Sequence, residues 1–347
     1  MKTLERFLSE SPQIPLATVW LLSDLAEYRG KQELFTKQSP QKLASLRENA
    51  MIESAVASNR IEGVEIDRLR IREVVLGKGA LHDRNEQEVR GYQSALAWIH
   101  SEGAQLPLSA ATILRLHELS HPEGYDSGKF KERDGEIIEK HPDGRVTLRF
   151  KPLSAAETPE AIERICELSD RLIKEQGIPP LIVWAATNLD FLCVHPFRDG
   201  NGRVSRLLLL LSLYQMGFTA GRFISLERII EQSKDRYYQT LQQSSGGWHE
   251  AKHDPWPYTN YLLYTLKELY AEFERRVGDI SAPLGHKTET VQYAIAGFPG
   301  EFHVGELQGR CPGVSLDMIR KILKDMALDK KIQCLGRGKK ARWKRIG

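Results

Sequence analysis

Cysteine is scarce. Cys166, Cys193, Cys311 and Cys334 are the only four in 347 residues, and no two are spaced as Cys-x-x-Cys. That scatter argues against a disulfide framework and against cysteine-bound zinc, and for reduced, mostly buried thiols. Long apolar runs are missing too: none reaches the roughly 18 residues of a membrane-spanning helix. The opening Met-Lys-Thr-Leu-Glu-Arg lacks the apolar core of a secretory leader. A cytoplasmic protein with no membrane partner is therefore expected. With 41% hydrophobic and 27% charged residues, the composition is that of an ordinary soluble globular chain. Its length calls for two or three domains.

The small net charge of +3 hides an asymmetry. Residues 315–347 hold 11 Lys and Arg against three Asp and Glu, a net +8, which leaves 38 basic and 43 acidic groups, a net −5, elsewhere. Any nucleic-acid partner belongs to the C-terminus.

The most informative stretch is His195-Pro196-Phe197-Arg198-Asp199-Gly200-Asn201-Gly202-Arg203. An apolar run, Leu181 to Val194, enters it, and a second, Val204 to Phe218, leaves it. The stretch thus reads as a tight turn between two buried helices. Gly200, Asn201 and Gly202 open the second helix, where free N–H groups and the positive dipole end favour an anion. Arg203 and Arg206 stand three apart on one face of its first turns. Asp199 adds a carboxylate suited to a metal, and His195 an imidazole suited to a general base. The competing reading is a polar helix connection whose arginines face solvent.

These residues resemble the signature of Fic-domain proteins, His-Pro-Phe-x-Asp/Glu-Gly-Asn-Gly-Arg, continued by the x-x-Arg that ends at Arg206. A second resemblance lies upstream. Ser58-Asn59-Arg60-Ile61-Glu62-Gly63 matches the Ser/Thr-x-x-x-Glu-Gly/Asn pattern of the family's autoinhibitory helix. Ser58 and Glu62 are four apart and share a helix face, and Gly63 can end the helix.

The resemblance implies a mostly α fold: a Fic-type helical bundle with a small β-hairpin flap. It also implies a protein adenylyltransferase that moves AMP from ATP to a Tyr, Thr or Ser hydroxyl of a target protein and of itself. His195 would be the catalytic base. Phe197, Arg198, Asp199, Gly200, Asn201, Gly202, Arg203, Arg206 and Tyr237 would bind ATP, with Asp199 also holding Mg²⁺ and Phe197 anchoring the turn. Glu62, with Ser58, would be inhibitory, pairing with Arg206 where the γ-phosphate belongs. Tyr237 and Tyr238, with the later Trp256, resemble the aromatic stretch that walls the adenine pocket. The family branch that phosphorylates carries Lys where this chain has Gly202. Transfer of UMP or phosphocholine, and removal of AMP, stay open.

Elsewhere the pattern is mainly helical. Helices are expected over 15–29, 40–62, 84–101, from a cap at Ser109, over 158–174 capped by Thr158, and over 181–194, 203–216, 225–243 and 257–277. Gly135–Ile138 and Arg145–Leu148 flank His141-Pro142-Asp143-Gly144, a hairpin signal. By resemblance this is the flap, near 133–149, on which the target's main chain docks by strand addition. Residues 278–285 read as a linker. Beyond it, three short helical segments and two strands around a Gly- and Lys-rich turn outline a winged helix-turn-helix domain, with Arg320, Lys321 and Lys324 on the third helix.

The expected division is 1–108 as a helical region carrying the inhibitory motif, 109–277 as the catalytic domain and 286–347 as the winged helix. The partners are the target hydroxyl and DNA through 286–347; self-association is left open. The alternative is a DNA-binding transcriptional regulator with a sensory or vestigial Fic domain. His117-Glu118-Leu119-Ser120-His121 fits the His-Glu-x-x-His zinc pattern, but Pro122 stops the helix at once and no third ligand is near. Gly124 to Lys129 is one residue short of a P-loop and has Phe130 in place of Ser or Thr, which excludes it.

Overall fold

Lys2–Ser9 form a first helix, α1, which the apolar pattern did not announce. Its opening N–H groups, of Thr3 and Leu4, donate to the buried carboxylate of Asp190 at 3.1 and 3.0 Å, the charge a helix N-terminus favours. The structure, a computed structural model, describes residues 1–36, 40–77, 79–122, 124–140, 144–175, 177–278, 286–298, 300–311, 314–336 and 341–346. The hairpin turn 141–143, most of the expected linker (279–285) and the basic turn 337–340 lie outside the described residues. No helix among the described residues is long and apolar enough to cross a membrane.

The chain divides into two compact units between Glu274 and Arg275. The first holds α1, α2 (Leu16–Thr36), α3 (Pro40–Ile61), α4 (Ile71–Val75), α5 (Arg84–Glu102), α6 (Ala110–Ser120), strands β1 (Ile137–Lys140) and β2 (Val146–Phe150), α7 (Thr158–Lys174), α8 (Pro180–Val194), α9 (Asn201–Gln215), α10 (Leu226–Gln232) and α11 (Lys234–Ser245), and most of α12 (Trp256–Gly278). Helix α8 is predominantly apolar and buried on every side from Leu181 to Val194, as a central helix must be. It packs against α1, α7, α9 and α11, while α3 packs on α5, α9 and α10. The last turn of α3, the end of α8 and the start of α9 thereby meet.

Local chemistry sets several boundaries. Ser109 caps α6 by accepting from Thr112 N–H at 3.2 Å. Thr158 does not cap α7: it is the first helical residue, its hydroxyl donates to Ser154 O, and Pro159 follows inside the first turn. The expected single helix over 225–243 is two helices. The Ser233 hydroxyl donates to Ile229 O at 3.1 Å and meets Tyr261 at 2.9 Å. A serine that bonds the backbone this way competes with the helix ladder. Strands β1 and β2 pair antiparallel, Ile138 opposite Leu148 and Lys140 opposite Val146, with a bulge at Ile137/Ile138.

The second unit contains α13 (His286–Ala296), β3 (Phe302–His303), α14 (Val304–Gly309), α15 (Leu316–Leu328), β4 (Ile332–Leu335) and β5 (Arg342–Arg345). Its core gathers Val291, Ile295, Phe302, Leu307, Ile319, Leu323 and Ile332. The sheet order is β3-β5-β4. The sequence pattern missed β3, which at two residues carries no alternation.

Candidate active site

The turn after α8 is built by its own side chains. His195 ends the helix in the left-handed region (φ 51°, ψ 64°). Asn201 is buried, accepting from Phe197 N–H at 2.9 Å and donating to Phe197 O at 2.7 Å, so its amide clamps the turn from inside. Gly200 takes φ 82° at the N-cap of α9, a conformation that glycine adopts without strain. Its N–H donates to Asp199 Oδ1 at 2.6 Å. Asp199 itself is largely exposed at the mouth of the turn. Burial pushes the His195 imidazole down to about 4, so the ring is neutral at pH 7.

Across from this turn stands the end of α3. Gly63 (φ 82°) closes the helix: Gly63 N–H bonds Arg60 O at 3.0 Å and Val64 N–H bonds Asn59 O at 2.9 Å, a Schellman ending. That ending projects Glu62 over the start of α9. Glu62 Oε1 lies 2.7 Å from Arg206 Nη2, and a Cβ placed on Gly202 would stand 2.2 Å from the same oxygen. The carboxylate thus lies against the first turn of α9. Arg206 is fully buried. Its Nε donates to Ser58 Oγ at 2.8 Å and its Nη2 also to Ser58 O at 3.0 Å. Its Nη1 is buried with no hydrogen-bond partner among the described residues.

A cavity of about 240 Å³ runs from Glu62, His195, Gly202 and Arg206 to a wall of Leu192, Tyr237, Tyr238 and Leu241, with Ile137, Arg149 and Phe150 of the hairpin on its other side. Arg149 ties hairpin to wall, donating to Tyr238 O at 2.8 Å and lying over the Tyr238 ring. Trp256 is not in this wall; it stacks on Phe7.

Residues 107–213 match the Fic/DOC family. Those residues are a Fic/DOC domain. Over 202 residues the chain is 27% identical to the protein adenylyltransferase Fic of Nematostella vectensis, covering 55% of this chain and 42% of that one. It thus spans less than half the length of that relative. Among solved structures the fold is similar to a Fic family protein from Desulfovibrio desulfuricans G20 (TM-score 0.62, 21% identity, 97% of this chain and 98% of that one). It is also similar to residues 134–508 of Fic-1 from C. elegans (TM-score 0.58, 20% identity, 76% and 72%).

The expected site residues thus divide between the cavity and the far side of the turn after α8. His195, Gly202, Arg206, Tyr237 and Glu62 line the cavity. Phe197 is buried under it, its ring stacked at 3.8 Å on His117. Arg198 reaches outward over Tyr125. Arg203 is buried against Glu88 at 2.9 Å and His121 at 3.3 Å, with Asp199 at 3.9 Å.

Sequence reasoning missed the supports of the turn. His117 accepts from Gly128 N–H at Nδ1 (3.0 Å) and donates from Nε2 to Asp199 O (3.1 Å), which fixes the tautomer. The zinc-like spacing of His117 and His121 did signal two histidines on one helix face, but they serve the turn. Glu88 gave no signal at all. Glu227 anchors α3 from behind, accepting from Ser54 (2.7 Å) and Tyr92 (2.8 Å).

Proposed function

We propose that this protein is an adenylyltransferase that moves AMP from ATP to a Tyr, Thr or Ser hydroxyl of a target protein and of itself, and that Glu62 holds the activity down. The carrying observation is the place of Glu62: an acid lies at the N-terminus of α9, bonded to Arg206 Nη2, while the buried Nη1 has no partner among the described residues. Buried donors without an acceptor are rare. A polyphosphate would satisfy Nη1 and take over Nη2 once Glu62 withdraws.

In this reading His195, neutral at pH 7, takes the proton of the attacking hydroxyl. The oxygen bonds to the α-phosphorus, the α–β phosphoanhydride breaks, and pyrophosphate leaves. N–H groups at the start of α9 stabilise the developing charge. The aromatic wall at Tyr237 takes the base, and the edge of the β1–β2 hairpin takes the target's main chain. Asp199 fits Mg²⁺, which needs only one or two carboxylates beside phosphates and water; its carboxylate is exposed at the mouth, and the ion would neutralise phosphate charge there. Glu62 would leave ATP able to enter but its phosphates misplaced.

The second unit runs helix, strand, helix, helix, strand, strand, the order of a winged helix-turn-helix. Helix α15 buries Ile319, Ile322, Leu323 and Met326 and exposes Arg320, Lys321 and Lys324. We read it as a DNA-binding module whose recognition helix is α15.

Intact mass after incubation with ATP and Mg²⁺ tests the reaction type. A gain of about 329 Da marks AMP transfer, because a covalent adduct reports the group moved. A gain of about 80 Da marks phosphorylation and overturns the reading.

A further inference from the structure

Lys131 lies between α6 and β1, almost wholly buried. An ammonium has three N–H donors and no acceptor, and here each donor has its own carbonyl. Nζ donates to Leu153 O at 2.6 Å, Val194 O at 2.9 Å and His195 O at 3.0 Å. The Lys131 N–H adds a bond to Pro196 O at 2.8 Å. Burying a lysine is costly unless its charge is compensated. The compensation comes from the C-terminus of α8, where the last carbonyls lack intrahelical partners and carry the negative end of the dipole.

Two features give this contact a role beyond packing. His195 has a left-handed backbone and is followed by proline; both restrict a residue bearing a Cβ, and such strain persists only where the surroundings over-determine it. Lys131 precedes β1 and Leu153 follows β2, so one ammonium joins both ends of the hairpin segment to the carbonyl of His195.

We propose that Lys131 is a positioning residue: its three carbonyl bonds fix the turn that aims His195 and lock that turn to the stem of the hairpin forming the opposite wall of the cavity. The role in transfer rests on the reading above that His195 is the base. The charges acting on the imidazole are consistent with it. Lys131 from the hairpin stem opposes protonation, whereas Glu62 from α3 and Asp199 from the turn favour it. Asp134 is the charge that acts on Lys131 itself.

The test uses the full chain carrying Glu62→Gly, with Lys131→Met and Lys131→Arg added singly. Lys131→Met should lower kcat for automodification by about tenfold to a hundredfold, the scale of a misplacement near 1 Å. ATP affinity by calorimetry should stay within about twofold, because the start of α9 is untouched. Lys131→Arg, which keeps the charge and N–H donors but not the ammonium's geometry, should lose less of the rate than Lys131→Met. By NMR titration of labelled histidine, His195 should titrate higher in Lys131→Met than in the Glu62→Gly parent, because Lys131 opposes its protonation, and should stay near the parent in Lys131→Arg. Should Lys131→Met not fold, Lys131→Gln removes the charge while keeping two donors and carries the same comparison. Unchanged kcat with an unchanged His195 titration overturns the proposal, as does a parallel loss of ATP affinity. If the Glu62→Gly parent transfers nothing, the adenylyltransferase reading fails by itself, and the titration still decides the part played by Lys131.

Discussion

Glu62 Oε1 and Arg206 Nη2 lie 2.7 Å apart, the guanidinium fully buried and the carboxylate about a third exposed (31%). The asymmetry matters. Arg206 is held by Ser58, whereas Glu62 ends α3 beside a left-handed glycine with its carboxylate partly open to solvent. On the proposed function, a polyphosphate would displace Glu62 while the guanidinium stays in place.

Arg206→Ala should cost activity even in the absence of Glu62. In the Glu62→Gly background we expect ATP affinity to fall by about tenfold or more, since hydrogen bonds between charged groups contribute about 1.5–3 kcal/mol. Calorimetry on the single and double variants checks this. Equal affinity would mean that Arg206 serves only to hold α3.

His195→Ala should abolish transfer and leave ATP binding within about twofold, because the phosphate cradle belongs to α9 and not to the imidazole. Automodification and calorimetry on the Glu62→Gly background measure the two quantities. Transfer at the parental rate would remove His195 from the chemistry.

Acid should destabilise the protein through His117. Burial holds its imidazole at about 4 against an ordinary 6.5, so between these values the unfolded chain binds a proton that the folded chain does not. Stability is lost as pH falls, by about 2 kcal/mol between pH 7 and 5 for such a group. Urea unfolding at the two pH values, wild type beside His117→Gln, reads the difference. An identical pH response in both would contradict the assignment.

The C-terminal unit should give the full chain a salt-dependent affinity for duplex DNA. Replacing Arg320, Lys321 and Lys324 by Ala should flatten the slope of log K against log salt by about 2.7, or 0.9 for each DNA phosphate that a side chain no longer neutralises. Binding isotherms at several salt concentrations test this. No binding by the wild type at about 50 mM salt, where phosphate binding is strongest, would favour a protein-interaction module.

The turn from His195 to Arg206 and the segment Ser58 to Gly63 stand out in the sequence because their residues fall at fixed spacings along one helix or turn. The pairing of Glu62 with Arg206 follows from resemblance, and the close approach over Gly202 adds its physical reason. Lys131 and His117 were not legible. Their partners are main-chain carbonyls of Leu153, Val194, His195 and Asp199, which leave no trace in a sequence pattern. The same holds for α1, whose N-terminal support, Asp190, lies 186 residues from Leu4. The break at Ser233 was missed because serine is common inside helices and its hydroxyl bonds are set by Tyr261 of α12.

The central claim is that Glu62 restrains a transferase, and the rate of automodification at saturating ATP and Mg²⁺ tests it most directly. Removing the carboxylate lets the phosphates settle for in-line attack, and geometric errors near 1 Å cost about 10²-fold. Glu62→Gly should therefore modify itself about one to three orders of magnitude faster than wild type, on that same scale. A variant no faster than wild type would mean that Ser58 to Gly63 is only the end of a helix.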